Sequence, residues 1–276
     1  MARHHKSFRV SPIAVAAVLA LGTASVHPAA VNWINAAGGI WSTATNWSTN
    51  PLIPVNGDDV TINLPQTLTV TYNAGTVALN SLTLGSSTNT LAISGGTLGA
   101  GTLSSVGTIT VTNGTLNVSG GSTGPMTVNS GGVVNNTGTL ALTNFLRLTG
   151  GQLSGGTIQQ SGANRLAFNT ATNTLNNVTV RGDLTVADSN GSAGFVRVTG
   201  GLVVQTEAGA SPGVVNISTT AASDNSTLAF AGTQTFDNAT VNMGGANGFG
   251  GQRTGTIGLI GAAGSTLTFG PNTLIR

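Results

Sequence analysis

From Val60 to Phe269 the chain repeats one device. A short run of alternating apolar and polar side chains is closed by a turn rich in Gly, Asn and Ser. The runs include VTINL (60–64), TLTVTY (67–72), TLAIS (90–94), TITVT (108–112), TLNVS (115–119), FLRLT (145–149), FVRVT (195–199), TLAF (227–230) and TLTF (266–269). Alternation at period two is the mark of a strand buried on one face, and β-branched Val, Ile and Thr suit a pleated surface. No window shows helical periodicity. Ser or Thr followed by Gly-Gly recurs at Ser94, Ser119, Ser130, Thr149, Ser154 and Thr199, where glycine's access to positive φ permits a sharp reversal.

Short strands between closely spaced turns fit a sandwich, a barrel or a solenoid. Three features favour the solenoid. The device persists longer than one sandwich would use it. Aromatic residues make up only 4% of the chain, too few for a sandwich core. Thr, Asn and aliphatics recur at like positions, as stacked coils require. Thr-x-Thr begins at Thr67, Thr88, Thr108, Thr170, Thr233 and Thr254, which sets an expected coil of about 20–25 residues. The fold expected is therefore all-β: a right-handed parallel β-helix (β-solenoid) with an N-terminal Trp-rich cap.

That cap is read from Trp33 to Ile62, which holds all three tryptophans and the one Asp-Asp pair. A solenoid ends in an open apolar core and unpaired strand edges. Trp33, Trp41 and Trp47 are expected to cover the core, with Trp41 and Trp47 mostly buried. Pro51 and Pro54 lack backbone donors and discourage edge pairing, and Asp58 and Asp59 close the cap turn. The division expected is 1–30 signal peptide, 31–64 cap and first strand, and 65–276 repeats. The repeats run to Arg276 in mid-pattern, as if truncated there.

The first thirty residues read as a leader. Arg3, Lys6 and Arg9 precede the apolar run Ile13 to Leu21, and small residues follow. That order is a secretory signal, and the run is too short to span a bilayer. Cleavage after Ala24 or after Ala30 fits. Six of the nine basic residues then remain, all Arg, against seven acidic ones. The basic balance belongs to the leader, so no nucleic-acid partner is implied. The expected location is secreted or at the cell surface, with no membrane span in the mature chain.

The stretch Trp41-x5-Trp47, Pro54 and Gly57-Asp58-Asp59-Val60-x-Ile62 resembles the opening of large bacterial surface proteins built of β-strand repeats. These are the autotransporter-passenger and filamentous-haemagglutinin-like β-helices. The segments LSGGTIQQ, NTLNNVTVRGDLTV and STLTFGPNTLIR are similar to their repeat units. The resemblance implies export and an adhesive or matrix role, with extracellular matrix, glycans or other surface proteins as partners. It carries no catalytic residues to transfer, and the chain shows no translocator barrel or sorting signal of the kind such proteins carry.

The chain has no Cys, and its three His (His4, His5, His27) lie in the leader. That excludes Ser-His-Asp and Cys-His nucleophiles and the common zinc sites. No cofactor is expected. Paired carboxylates remain open to glycan chemistry. Asp58, Asp59, Asp183, Asp188, Glu207, Asp224 and Asp237 are the candidates, with Arg165, Arg181 and Arg197. Arg181 and Asp183 form the alternative site, expected to approach Arg165 or Arg197 if those coils stack. Scattered turn carboxylates are the plainer reading. Arg181-Gly182-Asp183 is also an integrin-type tripeptide, which chance supplies readily. GGANGFGG (244–251) lacks the Lys and helix of a phosphate cradle, and the Asp of a calcium repeat. A calcium site at Asp58-Asp59 and a sugar-stacking platform of tryptophans are lesser readings. The function expected is an exported structural or adhesive protein without catalysis. The alternatives are a polysaccharide-active β-helix enzyme and an ice- or carbohydrate-binding solenoid.

Overall fold

The computed structural model describes residues 28–210, 212–218, 225–246 and 252–276. The segment 1–27, Asp224 and residues 247–251 of the glycine loop lie outside the described residues. The chain is a parallel β-solenoid whose coils each contribute one strand to three faces. The first face stacks Ala30–Asn32, Asp59–Ile62, the second half of Thr76–Leu84, the second half of Thr97–Ser105, Gly121–Thr123, Thr139–Leu142, Thr157–Gln159, Val178–Arg181 and Leu202–Gln205. The second face begins at the first halves of the two long strands and runs through Thr115–Val118 to Thr256–Ile260. The third runs from Gly39–Ile40 to Leu166–Phe168, and continues as Leu184–Val186, Gly213–Ile217 and Ala239–Met243. Connections between parallel strands in one sheet are right-handed almost without exception, the hand expected of this coil.

Inward positions of successive coils meet in register and fill the core. Val77, Leu98, Leu116, Val134, Leu153, Leu175 and Val198 form one such row on the second face, and all are buried. Leu98 to Leu116 and Leu116 to Val134 are advances of 18 residues each, shorter than the coil expected from the Thr-x-Thr spacing. The end coils are longer: Val198 pairs with Phe230, 32 residues on. Insertions at the corners supply the extra length.

Two nine-residue strands, Thr76–Leu84 and Thr97–Ser105, bend from the second face to the first without a break in pairing. At this corner small residues are obligatory. A Cβ at Gly101 would stand 2.7 Å from the Asn80 carbonyl oxygen, and one at Gly99 would stand 3.2 Å from the Ala78 Cα. Both glycines lie inside the strand, and the neighbouring coil leaves little room for a side chain at either.

Buried asparagines serve the turns. Asn173 is fully buried; its Nδ2 donates to the carbonyls of Asn169, Ala171 and Phe195, and its Oδ1 accepts from Gly150 N. One side chain thus satisfies backbone groups of three adjacent coils, which burial requires.

The N-terminal end is closed. Trp33, Trp41 and Trp47 are 2%, 3% and 0% exposed, as the cap reading requires. Trp47 meets Trp33 edge-on at 4.8 Å and Trp41 at 4.7 Å; Trp41 meets Tyr72 of the next coil at 5.5 Å. The strand edge is closed differently from expectation. Residues 46–48 run antiparallel to the free side of the first strand, with Ile34 N donating to Asn46 O and Ser48 N to Asn32 O. The edge is paired rather than merely blocked by proline, and Pro54 is buried beneath the loop. At the other end Leu259, Phe269, Leu274 and Ile275 are each more than 40% exposed.

Candidate functional site

The first and third faces meet at a corner that several coils turn in two or three residues. At Ser105–Gly107 and Thr123–Gly124 a buried hydroxyl bonds a carbonyl one or two residues on. Other coils take longer connections there, and two of these flank a short one. After Thr157–Gln159 the chain inserts a small loop, pinned by the antiparallel bridge between Ser161 and Asn164, with Gly162 at φ +56°. After Leu202–Gln205 a second loop is closed by Thr206 N donating to Ala210 O and Gly209 N to Thr206 O. The coil between them turns in two residues, Gly182 and Asp183, with Gly182 at φ +99°. A short turn between two long ones leaves a notch.

The notch has a volume of about 400 Å³ and is lined by Gln160, Ser161, Arg165, Asp183, Thr206 and Glu207, with Thr185 and Asn216 on the third face beyond. Gln160 is buried and braces the floor: its Nε2 donates to Asp183 O and its Oε1 accepts from Leu166 N. Gln159 Nε2 donates to Glu207 O and so ties the two loops. The Arg165 guanidinium lies over the Phe145 ring at 5.4 Å, and Arg147 lies over the same ring at 5.2 Å.

The candidates read from the sequence thus fall into separate places. Asp183, Glu207 and Arg165 come together in the notch. Arg181 lies beside it; its Nε donates to Gln205 Oε1 and its guanidinium packs against Gly209. In the Arg181-Gly182-Asp183 turn the arginine is tied to the neighbouring coil, whereas Asp183 is exposed. Arg197 sits elsewhere, on the second face in register with Thr174 and Ala229, and its buried Nε has no hydrogen-bond partner. Asp183 and Arg165 line the same notch, whereas Arg197 lies away from it. Asp188 accepts from Asn190 N and Ser192 N within its own turn, and Asp237 from Asn238 N and Asn272 N. Asp58 is buried and accepts from Val55 N. Asp59 accepts from Ser81 Oγ and Asn80 Nδ2, which hold its carboxyl below the usual range. No group of three or more His, Cys, Asp or Glu occurs among the described residues.

Two other surfaces were candidates. The indoles form no platform, because they pack edge-on against one another and are buried. A cleft of about 460 Å³ lies beside them, between the Ile53–Asn56 loop and the Tyr72–Val77 turn. Burial of Tyr72 raises its phenol above the ordinary value of 10.0. In-register threonine rows are short and divided among the faces. Thr76, Thr97 and Thr115 end at Val133 on the second, Thr139, Thr157 and Thr179 at Val203 on the first, and Thr69, Thr90 and Thr108 form a row on the third.

Sequence reasoning marked Asp183 and listed Glu207 but did not join them, and it missed Gln160 and Asn216. The signal was the uneven corner length, which shows only once coils are aligned on their strands. Comparison of the chain with protein-family profiles, with curated proteins and with solved structures finds no match.

Proposed function

We propose that the chain is an exported structural or adhesive rod that acts by geometry, without catalysis. One observation supports it above the rest. A single aliphatic core runs from Val31 to Val241 inside stacked parallel coils, sealed at its N-terminal end by three tryptophans and an antiparallel strap. Such a body is stiff along its axis and turns mainly Thr, Ser, Asn and Gln outward. Few charges and paired backbones leave a protease little to grip. The leader-like start supports export, and the fold is the one that the resemblance to β-strand-repeat surface proteins implies. Matrix proteins, glycans or other surface proteins are the partners that a polar, sparsely charged rod suits. Among the described residues no helix is long and apolar enough to cross a membrane.

The test is to express the full chain with its own leader and follow where it goes. The expected outcome is a processed product in the medium or on the cell surface that resists protease. Its first residue is expected to follow Ala24, because Ala29 O accepts from Asp59 N and Ala30 pairs with Asp59 in the first face. An unprocessed chain retained inside the cell overturns the reading.

A further inference from the structure

Six side-chain carboxylates lie among the described residues, and four of them are occupied. Asp58, Asp59, Asp188 and Asp237 each accept hydrogen bonds that hold a turn or join two coils. Asp183 and Glu207 are the other two. Their carboxylates carry no hydrogen bond and no ion pair, while their backbone carbonyls are held by Gln160 and Gln159. The notch between the two corner loops thus fixes the backbone under both residues and leaves both acid groups open. Arg165, in the same notch, is steadied by the Phe145 ring, and its guanidinium likewise carries no hydrogen bond. Asn216 completes the set. Asn242 Nδ2 donates to its Oδ1, which orients the amide and leaves its Nδ2 as an open donor.

We propose that this notch, with Asp183, Glu207, Arg165 and Asn216, is a binding site for a neutral, polyhydroxylated sugar unit of a glycan chain. The groups offered choose among ligand classes. A divalent cation needs several oxygen ligands; here Arg165 stands among them, and the Asn216 oxygen is already taken. An anion meets two carboxylates. A Lys or Arg side chain meets Arg165. A sugar ring presents adjacent hydroxyls, each both donor and acceptor. Such a unit gives protons to Asp183 and Glu207 and accepts from Arg165 and Asn216, the mixture of charged and neutral hydrogen bonds available here. The notch lies at the small end of ligand-site volumes, fit for one or two sugar units rather than a long groove. The corner position leaves both ends of a chain free to continue past the rod.

The test uses the full chain titrated with cello-, laminari-, malto- and manno-oligosaccharides, and separately with calcium alone and with a lysine-rich peptide. Binding is read by calorimetry, and by the amide shifts of Gly182 and Glu207 in NMR spectra. One neutral oligosaccharide is expected to bind and to move those two signals. Asp183→Asn, Glu207→Gln and Arg165→Gln are each expected to weaken it about tenfold. Thr115→Ser, on the second face, leaves it unchanged. The three notch side chains make no hydrogen bond or ion pair, and only Arg165 has a ring contact, with Phe145, so the variants should melt close to the parent chain, and a thermal melt of each checks this. Saturation by calcium or the peptide at the notch, no neutral sugar binding at millimolar concentration, or binding that survives all three substitutions overturns the proposal.

Discussion

Trp47→Ala is the substitution that most directly tests how the rod is held at its N-terminal end. Trp47 is fully buried, meets Trp33 and Trp41 edge-on, and donates from Nε1 to Trp41 O at 2.7 Å. Truncating a buried Trp to Ala costs about 3–5 kcal/mol, which already includes much of the ring-contact energy of about 0.5–1.5 kcal/mol per pair. The Trp41 carbonyl also loses its donor at an interior position, a further cost of about 1–3 kcal/mol. Together these place the loss near 5 kcal/mol, enough to open the cap. In a solenoid each coil contacts only its neighbours. The loss should therefore stay local. Amide hydrogen exchange followed by mass spectrometry is the suitable assay. Peptides covering Ala30 to Trp47 are expected to lose their protection, while those covering Val128 to Leu153 keep theirs. Trp47→Phe keeps a six-membered ring at the site but loses the pyrrole ring and its N–H, so it should cost less than Trp47→Ala, about 2–3 kcal/mol, and leave more of the cap protected. If the central peptides lose protection by as much as the cap, the rod unfolds as one unit and the nearest-neighbour reasoning is wrong. If the cap peptides do not change, Trp47 does not hold the cap.

Three further outcomes follow from the corners and the cap turn. Asn173→Ala strands Gly150 N and three carbonyls across three coils, and should lower stability by about 2–4 kcal/mol in urea denaturation; a loss under about 1 kcal/mol, as for an exposed residue, would contradict the bridging role. Gly121→Ala should be far costlier than Gly232→Ala. Both sit at positive φ, but a Cβ at Gly121 would lie 2.0 Å from Leu103 O, whereas one at Gly232 meets nothing within 4 Å; paired urea midpoints compare them directly. The hydrogen bonds from Ser81 and Asn80 lower the Asp59 carboxyl, so its contribution is present above the ordinary carboxylate range and lost as pH falls through the lowered value. Asp59→Asn should flatten that part of the acid limb in thermal melts, and an unchanged limb would refute it.

The sequence by itself determined the class of fold and the site of the cap. Alternation at period two puts Leu98, Leu116 and Val134 on one side of their strands whatever lies around them, and glycine pairs permit the sharp turns between. Three tryptophans gathered at one end of an otherwise aromatic-poor chain pointed to a cap, because the end of an open core is where large rings fit. Register and corner geometry were decided by the tertiary structure. Gly99 and Gly101 must be small only because the previous coil lies where their Cβ atoms would stand, and Asn173 is an interior residue only because three coils converge on it. The notch depends on the same level. Asp183 and Glu207 stand 24 residues apart in the chain, and they become neighbours because Thr179 pairs with Val203 and brings their corners together. A neighbour along the solenoid axis is set by which strand stacks on which, and that choice is made by the whole row of inward side chains rather than by the residues that then meet.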